Sequence, residues 1–126
     1  MNLVDSCAWL EYFAGAPNAA FFGKAVEDVD RLLVPTICLL EVFKRVFQQR
    51  GEPAALQAVA HMQEGRVVPL DAATALAAAR IGADLKLPLA DSVILAAARA
   101  HGAVVWTQDA DFEGIPGVQY KAKQQG

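Results

Sequence analysis

Several features that mark other protein classes are scarce in this sequence. Cysteine occurs only twice among 126 residues, as Cys7 and Cys38, which is too few for a disulfide framework. Such a pair is typical of small buried thiols in a reducing cytosol, so we expect a cytoplasmic protein. Histidine also occurs only twice, and neither residue belongs to a Cys/His cluster with the spacing of zinc ligands.

Long apolar stretches and an excess of positive charge are absent as well. No run approaches the ~18–20 uncharged apolar residues that a membrane span needs, and no basic segment before an apolar one predicts a secretory signal. The net charge is −3, so bulk charge alone does not indicate a nucleic-acid-binding protein. Hydrophobic residues make up 55% of the chain, which excludes a disordered protein.

The order of the short apolar segments predicts the fold class. Helical patterns separate five predicted strands, at residues 1–5, 31–35, 66–70, 103–107 and 118–120. This alternation favours a three-layer α/β fold, in which a mostly parallel central sheet of four to five strands carries helices on both faces. The length predicts one domain over residues 1–126, with residues 121–126 as a frayed polar tail.

Four acidic residues stand near the sheet edge where such folds bind ligands, outside the carboxyl ends of the strands. Asp5 follows the first predicted strand, and Asp109 follows the fourth. Glu41 lies about a turn and a half into the helix after the second strand. Asp91 lies in the first turn of the helix that leads into the fourth strand. The pattern therefore predicts a cluster of carboxylates.

Each of these acids has an ordinary explanation when it is taken alone. Asp5 could cap a helix, Glu41 could face solvent, and Asp91 could complement a helix dipole. Together these explanations are weaker, because like charges held close cost free energy unless a cation lies between them. Oxygen donors without a His or Cys cluster favour Mg²⁺ or Mn²⁺, which are suited to phosphate substrates.

The motifs that carry these acids resemble the PIN-domain family, and more narrowly the VapC-type ribonuclease toxins of toxin–antitoxin modules. The resemblance covers nearly the whole chain in family order and spacing. The matching segments are residues 3–9 (LVDSCAW), 35–42 (PTICLLEV), 87–96 (LPLADSVILA), 102–112 (GAVVWTQDADF) and 115–118 (IPGV).

The resemblance implies a set of site residues. Asp5, Glu41 and Asp91 match the first three metal carboxylates of the family, and Asp109 matches the fourth, more variable acid. The hydroxyls of Ser6 and Thr107 match positions that hydrogen-bond to the carboxylates or to a water, and Asp111 is a further acid beside the site.

An activity and a set of partners are implied in the same way. The family suggests an endoribonuclease that uses one or two Mg²⁺ or Mn²⁺ ions to hydrolyse tRNA, rRNA or mRNA and so inhibits translation. Its toxins form homodimers and bind a cognate VapB-like antitoxin. The apolar character of the Trp9–Phe22 segment also suggests a face that a partner covers.

Contacts to RNA phosphates would come from scattered basic residues. Three of them share one predicted helix and are our candidates: Lys44, Arg45 and Arg50.

Two other function classes stay open. A phosphotransfer protein of the haloacid-dehalogenase type would need a second Asp two residues after the first, where this chain has Cys7. A PIN-like module that binds RNA or protein without catalysis would have no need for a cluster of acids. Metal binding distinguishes this module from the nuclease.

Overall fold

Five short parallel strands form the centre of the structure, a computed structural model that describes residues 1–125. The strands lie side by side in the order β3-β2-β1-β4-β5, and every neighbouring pair is parallel. The predicted sheet is confirmed. The strands are β1 (Asn2–Val4), β2 (Leu32–Pro35), β3 (Arg66–Val68), β4 (Val104–Thr107) and β5 (Val118–Tyr120).

Helices cover both faces of the sheet, which confirms the three-layer α/β/α class. Within the layers α1 packs on α2, α3 on α4, and α5 on α6. The helices are α1 (Ser6–Phe13), α2 (Ala19–Val26), α3 (Thr36–Arg50), α4 (Glu52–Met62), α5 (Ala72–Leu85) and α6 (Leu89–Ala100). Among the described residues, no helix combines the length and the apolar character of a membrane span.

The core lies between the helices and the three inner strands, β2, β1 and β4. Leu3, Leu33 and Val105 from neighbouring strands have no exposed surface. Trp9 and Phe22 are also fully buried within this single chain, whereas Leu10, Phe13 and Phe21 of the same segment are half-buried. Large exposed apolar side chains lie elsewhere, at Leu40 on α3, Leu76 on α5 and Leu89 on α6, among others.

The start of α1 matters for the site. The helix begins at Ser6, and Asp5 is its N-cap, which is one of the roles that its position after β1 predicted. The Oδ1 atom of Asp5 accepts a hydrogen bond of 2.7 Å from the Ser6 backbone N–H. One carboxylate oxygen of Asp5 is therefore fixed by the helix that follows it.

The first residues after β5 are held against the body of the fold. The backbone N–H of Lys121 donates to the Thr107 carbonyl at 3.0 Å. The carbonyl of Ala122 accepts a hydrogen bond of 3.0 Å from the Asn18 side chain. The polar tail is thus tied at its beginning, next to the end of β4.

Candidate active site

The acidic cluster lies at the switch point of the sheet, where the order of the strands reverses. β1 pairs with β2 on one side and with β4 on the other, so the carboxyl ends of β1 and β4 border the crevice where such sheets bind ligands. Asp5 follows β1, Asp109 follows β4, and Asp91 lies in the first turn of α6. One carboxylate oxygen from each of these three residues lies within 4.8 Å of the other two.

Asp5 is the most constrained of the three acids. Its side chain is only 4% exposed. Its Oδ1 atom accepts the hydrogen bond from the Ser6 N–H. Its Oδ2 atom accepts a hydrogen bond of 2.7 Å from the Thr107 hydroxyl and lies 3.3 Å from the Cys7 thiol. The carboxylate is therefore held by donors from both neighbouring elements, α1 and β4.

Thr107 links Asp5 to the loop that carries Asp109. The Thr107 hydroxyl donates to Asp5 and accepts a hydrogen bond of 3.0 Å from the Asp109 backbone N–H. The Asp109 carboxylate in turn accepts a hydrogen bond of 2.9 Å from the backbone N–H of Asp111. Asp111 itself is exposed and lies at the outer side of this turn.

Glu41 approaches the cluster from α3 but lies outside the group of three. Its Oε1 atom accepts a hydrogen bond of 2.7 Å from the Ser6 hydroxyl, and Ser6 is the residue next to Asp5. The hydroxyl that the resemblance assigned to carboxylate binding therefore contacts Glu41. Asp5, Asp91 and Asp109 form the inner group, and Glu41 is joined to it through Ser6.

The electrostatics of the cluster favour proton uptake or a cation. Burial, together with the negative charges of Asp109, Asp5 and Asp111, raises the pKa of Asp91 to about 7. Burial also raises the pKa of Asp5, although its hydrogen bonds to Thr107, Cys7 and Ser6 oppose the shift. A cluster of oxygen ligands with unbalanced negative charge fits a hard divalent cation such as Mg²⁺ or Mn²⁺.

A cleft of about 960 Å³ lies beside α1, and Cys7, whose thiol contacts Asp5, forms part of its wall. The acids of the cluster do not line it. Arg45, Arg50 and Lys123 do, whereas Lys44 lies in a separate groove between α3 and α4. Two of the three predicted RNA-binding residues therefore face this cleft, and the third does not.

Sequence reasoning missed a buried carboxylate outside the cluster. Glu11 on α1 is 5% exposed, and both of its oxygens accept hydrogen bonds. The donors are the backbone N–H of Asn18 at 2.9 Å and the side-chain amide of Gln108 at 3.1 Å. The signal that could have found it is a lone acid within the apolar pattern of residues 7–13.

The family of the chain follows from its sequence as a whole. The family model of the PIN domain matches residues 3–118. The chain belongs to the PIN-domain family. No curated protein matches this PIN domain in sequence.

Solved structures with the same fold include toxins of toxin–antitoxin modules. A toxin–antitoxin complex from Klebsiella pneumoniae is 24% identical to this PIN domain, with a TM-score of 0.80 over 94% of this chain and 96% of that one. The VapC20 toxin of Mycobacterium tuberculosis, which cleaves the sarcin–ricin loop, is 18% identical, with a TM-score of 0.76 over 94% and 97%. DNA-bound VapBC from Salmonella typhimurium is 20% identical, with a TM-score of 0.74 over 97% and 98%.

Proposed function

We propose that this PIN domain is the toxin of a type II toxin–antitoxin system and acts as a Mg²⁺- or Mn²⁺-dependent endoribonuclease. The observation that carries the proposal is the group of three carboxylates, Asp5, Asp91 and Asp109, within 4.8 Å of one another at the switch point of the sheet. Membership of the PIN family supports the nuclease class. The toxin structures that share the fold support the biological role.

The roles of the side chains follow from their contacts. Asp5, Asp91 and Asp109 would hold one or two cations, with Glu41 as the fourth acid. A bound divalent cation would lower the pKa of a water and offset negative charge on the phosphodiester. Thr107 fixes one oxygen of Asp5, and Ser6 fixes Glu41, so two hydroxyls orient two of the acids. Asp111 adds negative charge at the rim.

The basic wall of the cleft is the proposed path of the RNA backbone. Arg45, Arg50 and Lys123 line this cleft together with Cys7, whose thiol contacts Asp5, so RNA phosphates bound along it would lie next to α1, the helix that Asp5 caps. We expect Arg45→Ala and Arg50→Ala to weaken RNA binding. Lys44→Ala is the matched control, because Lys44 is a neighbouring exposed cation that lies in another groove.

The proposed partners follow from the relatives. The Klebsiella pneumoniae structure is a toxin–antitoxin complex, and the Salmonella typhimurium structure is VapBC with DNA, so we propose a VapB-like antitoxin for this chain. We also propose a cytoplasmic homodimer. The exposed side chains of Leu40, Leu76 and Leu89 provide apolar surface for such contacts.

The test is an RNA cleavage assay with the purified chain, free of antitoxin. Total RNA and a sarcin–ricin-loop hairpin would be incubated with Mg²⁺, with Mn²⁺ and with EDTA. We expect discrete fragments that require the metal and disappear in Asp5→Asn. Glu113→Gln is the control, because it removes an exposed carboxylate near the same loop. Equal cleavage by Asp5→Asn would overturn the proposed site, and an absence of both cleavage and metal binding would favour a non-catalytic binding module.

A further inference from the structure

A compact hydrogen-bond network lies on the opposite side of the β4 loop from the acidic cluster. Gln108 is its centre. The Gln108 amide nitrogen donates to Glu11 at 3.1 Å, and its amide oxygen accepts from the Asn18 side chain at 3.0 Å. Asn18 also donates its backbone N–H to Glu11 at 2.9 Å and its side chain to the Ala122 carbonyl at 3.0 Å. Four separate segments of the chain meet here.

The network is built from buried polar groups, so its bonds are costly to lose. Glu11 is 5% exposed and Asn18 has no exposed surface. Each oxygen of Glu11 has one donor, and Gln108 uses both ends of its amide. A buried donor or acceptor that loses its partner retains the full cost of its desolvation. The arrangement therefore favours one orientation of Gln108.

Consecutive residues of the loop face alternate sides. Thr107 contacts Asp5 and Asp109 contributes an oxygen to the cluster, whereas Gln108 between them reaches Glu11 and Asn18. Alternation of this kind is expected for extended backbone at the end of a strand. Holding the side chain of Gln108 therefore fixes the direction in which its two neighbours point.

We propose that Glu11 is a positioning residue for the acidic cluster, which it orients through Gln108. This inference rests on the proposed metal site. Glu11 contacts neither the acids of the cluster nor the reacting atoms. It holds Gln108, and Gln108 holds the loop in which Asp109 lies against Asp5 and Asp91. Asn18 joins the beginning of the C-terminal tail to the same point.

Exchanging the Glu at position 11 with the Gln at position 108 tests whether the hydrogen bonds matter, rather than which residue stands at each position. Glu11→Gln leaves one acceptor for two donors, so one bond is lost. Gln108→Glu places two carboxylates against each other and removes the only donor between them. The double variant restores every bond, because the amide at position 11 donates to the carboxylate at position 108, which still accepts from Asn18. The three variants thus differ in the completeness of the network.

The test measures Mn²⁺ affinity by calorimetry and amide hydrogen exchange of residues 107–112. We expect Glu11→Gln to weaken Mn²⁺ binding about 10-fold and to speed exchange at Asp109 and Asp111, in line with the roughly 10- to 100-fold effect of groups that orient metal ligands. Gln108→Glu should have a larger effect on exchange, and the double variant should recover most of the protection. Val68→Ala on the distant edge strand is the control for a general loss of stability.

Two results would overturn the inference. One is wild-type Mn²⁺ affinity and loop exchange in Glu11→Gln. The other is a double variant whose loop exchanges as fast as that of Gln108→Glu alone. Failure of the proposed function is distinguishable, because a wild-type protein that binds no Mn²⁺ argues against the metal site while the exchange data still report whether Glu11 holds the loop.

Discussion

Two buried acidic regions lie on either side of the loop after β4, and they differ in how many carboxylates share one site. Glu11 has a hydrogen-bond donor for each of its oxygens and belongs to a network of neutral amides. Asp5, Asp91 and Asp109 face one another within 4.8 Å, and the main influences on the Asp91 pKa all raise it. In the first region, the negative charge of Glu11 is balanced by hydrogen-bond donors of the chain. In the second, three carboxylates share one site, and the chain leaves their combined negative charge unbalanced.

The difference distinguishes a carboxylate that stabilises the fold from a group of carboxylates that favours binding of a cation. A buried carboxylate that contributes to the fold is surrounded by its own donors, because an uncompensated charge is costly to bury. A group of acids that repel one another lowers the stability of the metal-free protein and is relieved by a cation. Removing a charge should therefore have opposite effects on stability in the two regions.

The largest effect on stability is expected for Glu11→Ala. The truncation leaves the Asn18 N–H and the Gln108 amide without their acceptor, at about 1–3 kcal/mol for each unpaired buried group. We expect the free energy of unfolding to fall by that amount per group. Urea unfolding in EDTA measures it, with exposed Glu113→Gln as the control. If Glu11→Ala lost no more unfolding free energy than Glu113→Gln, the hydrogen bonds to Glu11 would not stabilise the fold.

Removal of the charge of Asp91 is expected to raise the stability of the metal-free protein, by an amount that depends on pH. Its pKa is about 7 in the folded protein against 3.8 for a free side chain, so the folded state binds more protons between these values. The stability of the metal-free protein should therefore fall as pH rises from about 4 to 7. Asp91→Asn should reduce this fall and should be the more stable protein at pH 8.

Thermal unfolding in EDTA and in Mn²⁺ at pH 5 and pH 8 checks this prediction. Mn²⁺ should raise the melting temperature of the wild type more at pH 8 than at pH 5, because the proton on Asp91 competes with the cation. In Asp91→Asn the Mn²⁺ effect should be small at both values. A wild-type protein that gains stability between pH 5 and pH 8 in EDTA would contradict the shifted pKa.

A smaller effect is expected at Thr107, which precedes Gln108 and whose hydroxyl contacts the acidic cluster. Thr107→Val keeps the shape but removes the donor to Asp5 and the acceptor for the Asp109 N–H. We expect Mn²⁺ affinity to fall about 10-fold, at the low end of the range for groups that orient ligands. Thr107→Ser retains the hydroxyl and should bind Mn²⁺ almost as tightly as the wild type. Equal affinities for the two variants would exclude a role for this hydroxyl.

The unbalanced region was predictable from the sequence, because its residues follow local rules. Asp5 directly follows β1, Asp109 stands two residues after β4, and Asp91 lies in the first turn of α6. The parallel order of the strands is enough to bring these positions to one edge. The position of Glu41 in the helix after β2 also placed it near this edge, but its contact with the cluster through Ser6 depends on how α3 packs beside α1.

The balanced region was not predictable, because its contacts join distant parts of the chain. Gln108 lies 97 residues from Glu11 and 90 from Asn18. No local pattern pairs these residues. The placement of Lys44 has a similar cause, since successive helical residues point about 100° apart. Arg45 therefore faces the cleft while its neighbour Lys44 faces another groove, and only the packing of α3 decides which.

Cys7 gives the smallest expected effect, although it lies closest to both regions. Burial and the nearby charge of Asp5 raise the pKa of its thiol to about 12, so the thiol is neutral at pH 7. Its contacts of 3.3 Å to Asp5 and 3.4 Å to Thr107 supplement a carboxylate that already has two stronger donors. We expect Cys7→Ser to keep Mn²⁺ affinity and cleavage within about twofold, because a hydroxyl supplies the same donor. Iodoacetamide should alkylate Cys7 far more slowly in the folded protein than in urea, because the thiolate is the reactive form. Rapid alkylation of the folded protein at pH 7, read from the mass of the peptide that contains Cys7, would show instead that the thiol ionises and that the negative charge beside it is already balanced.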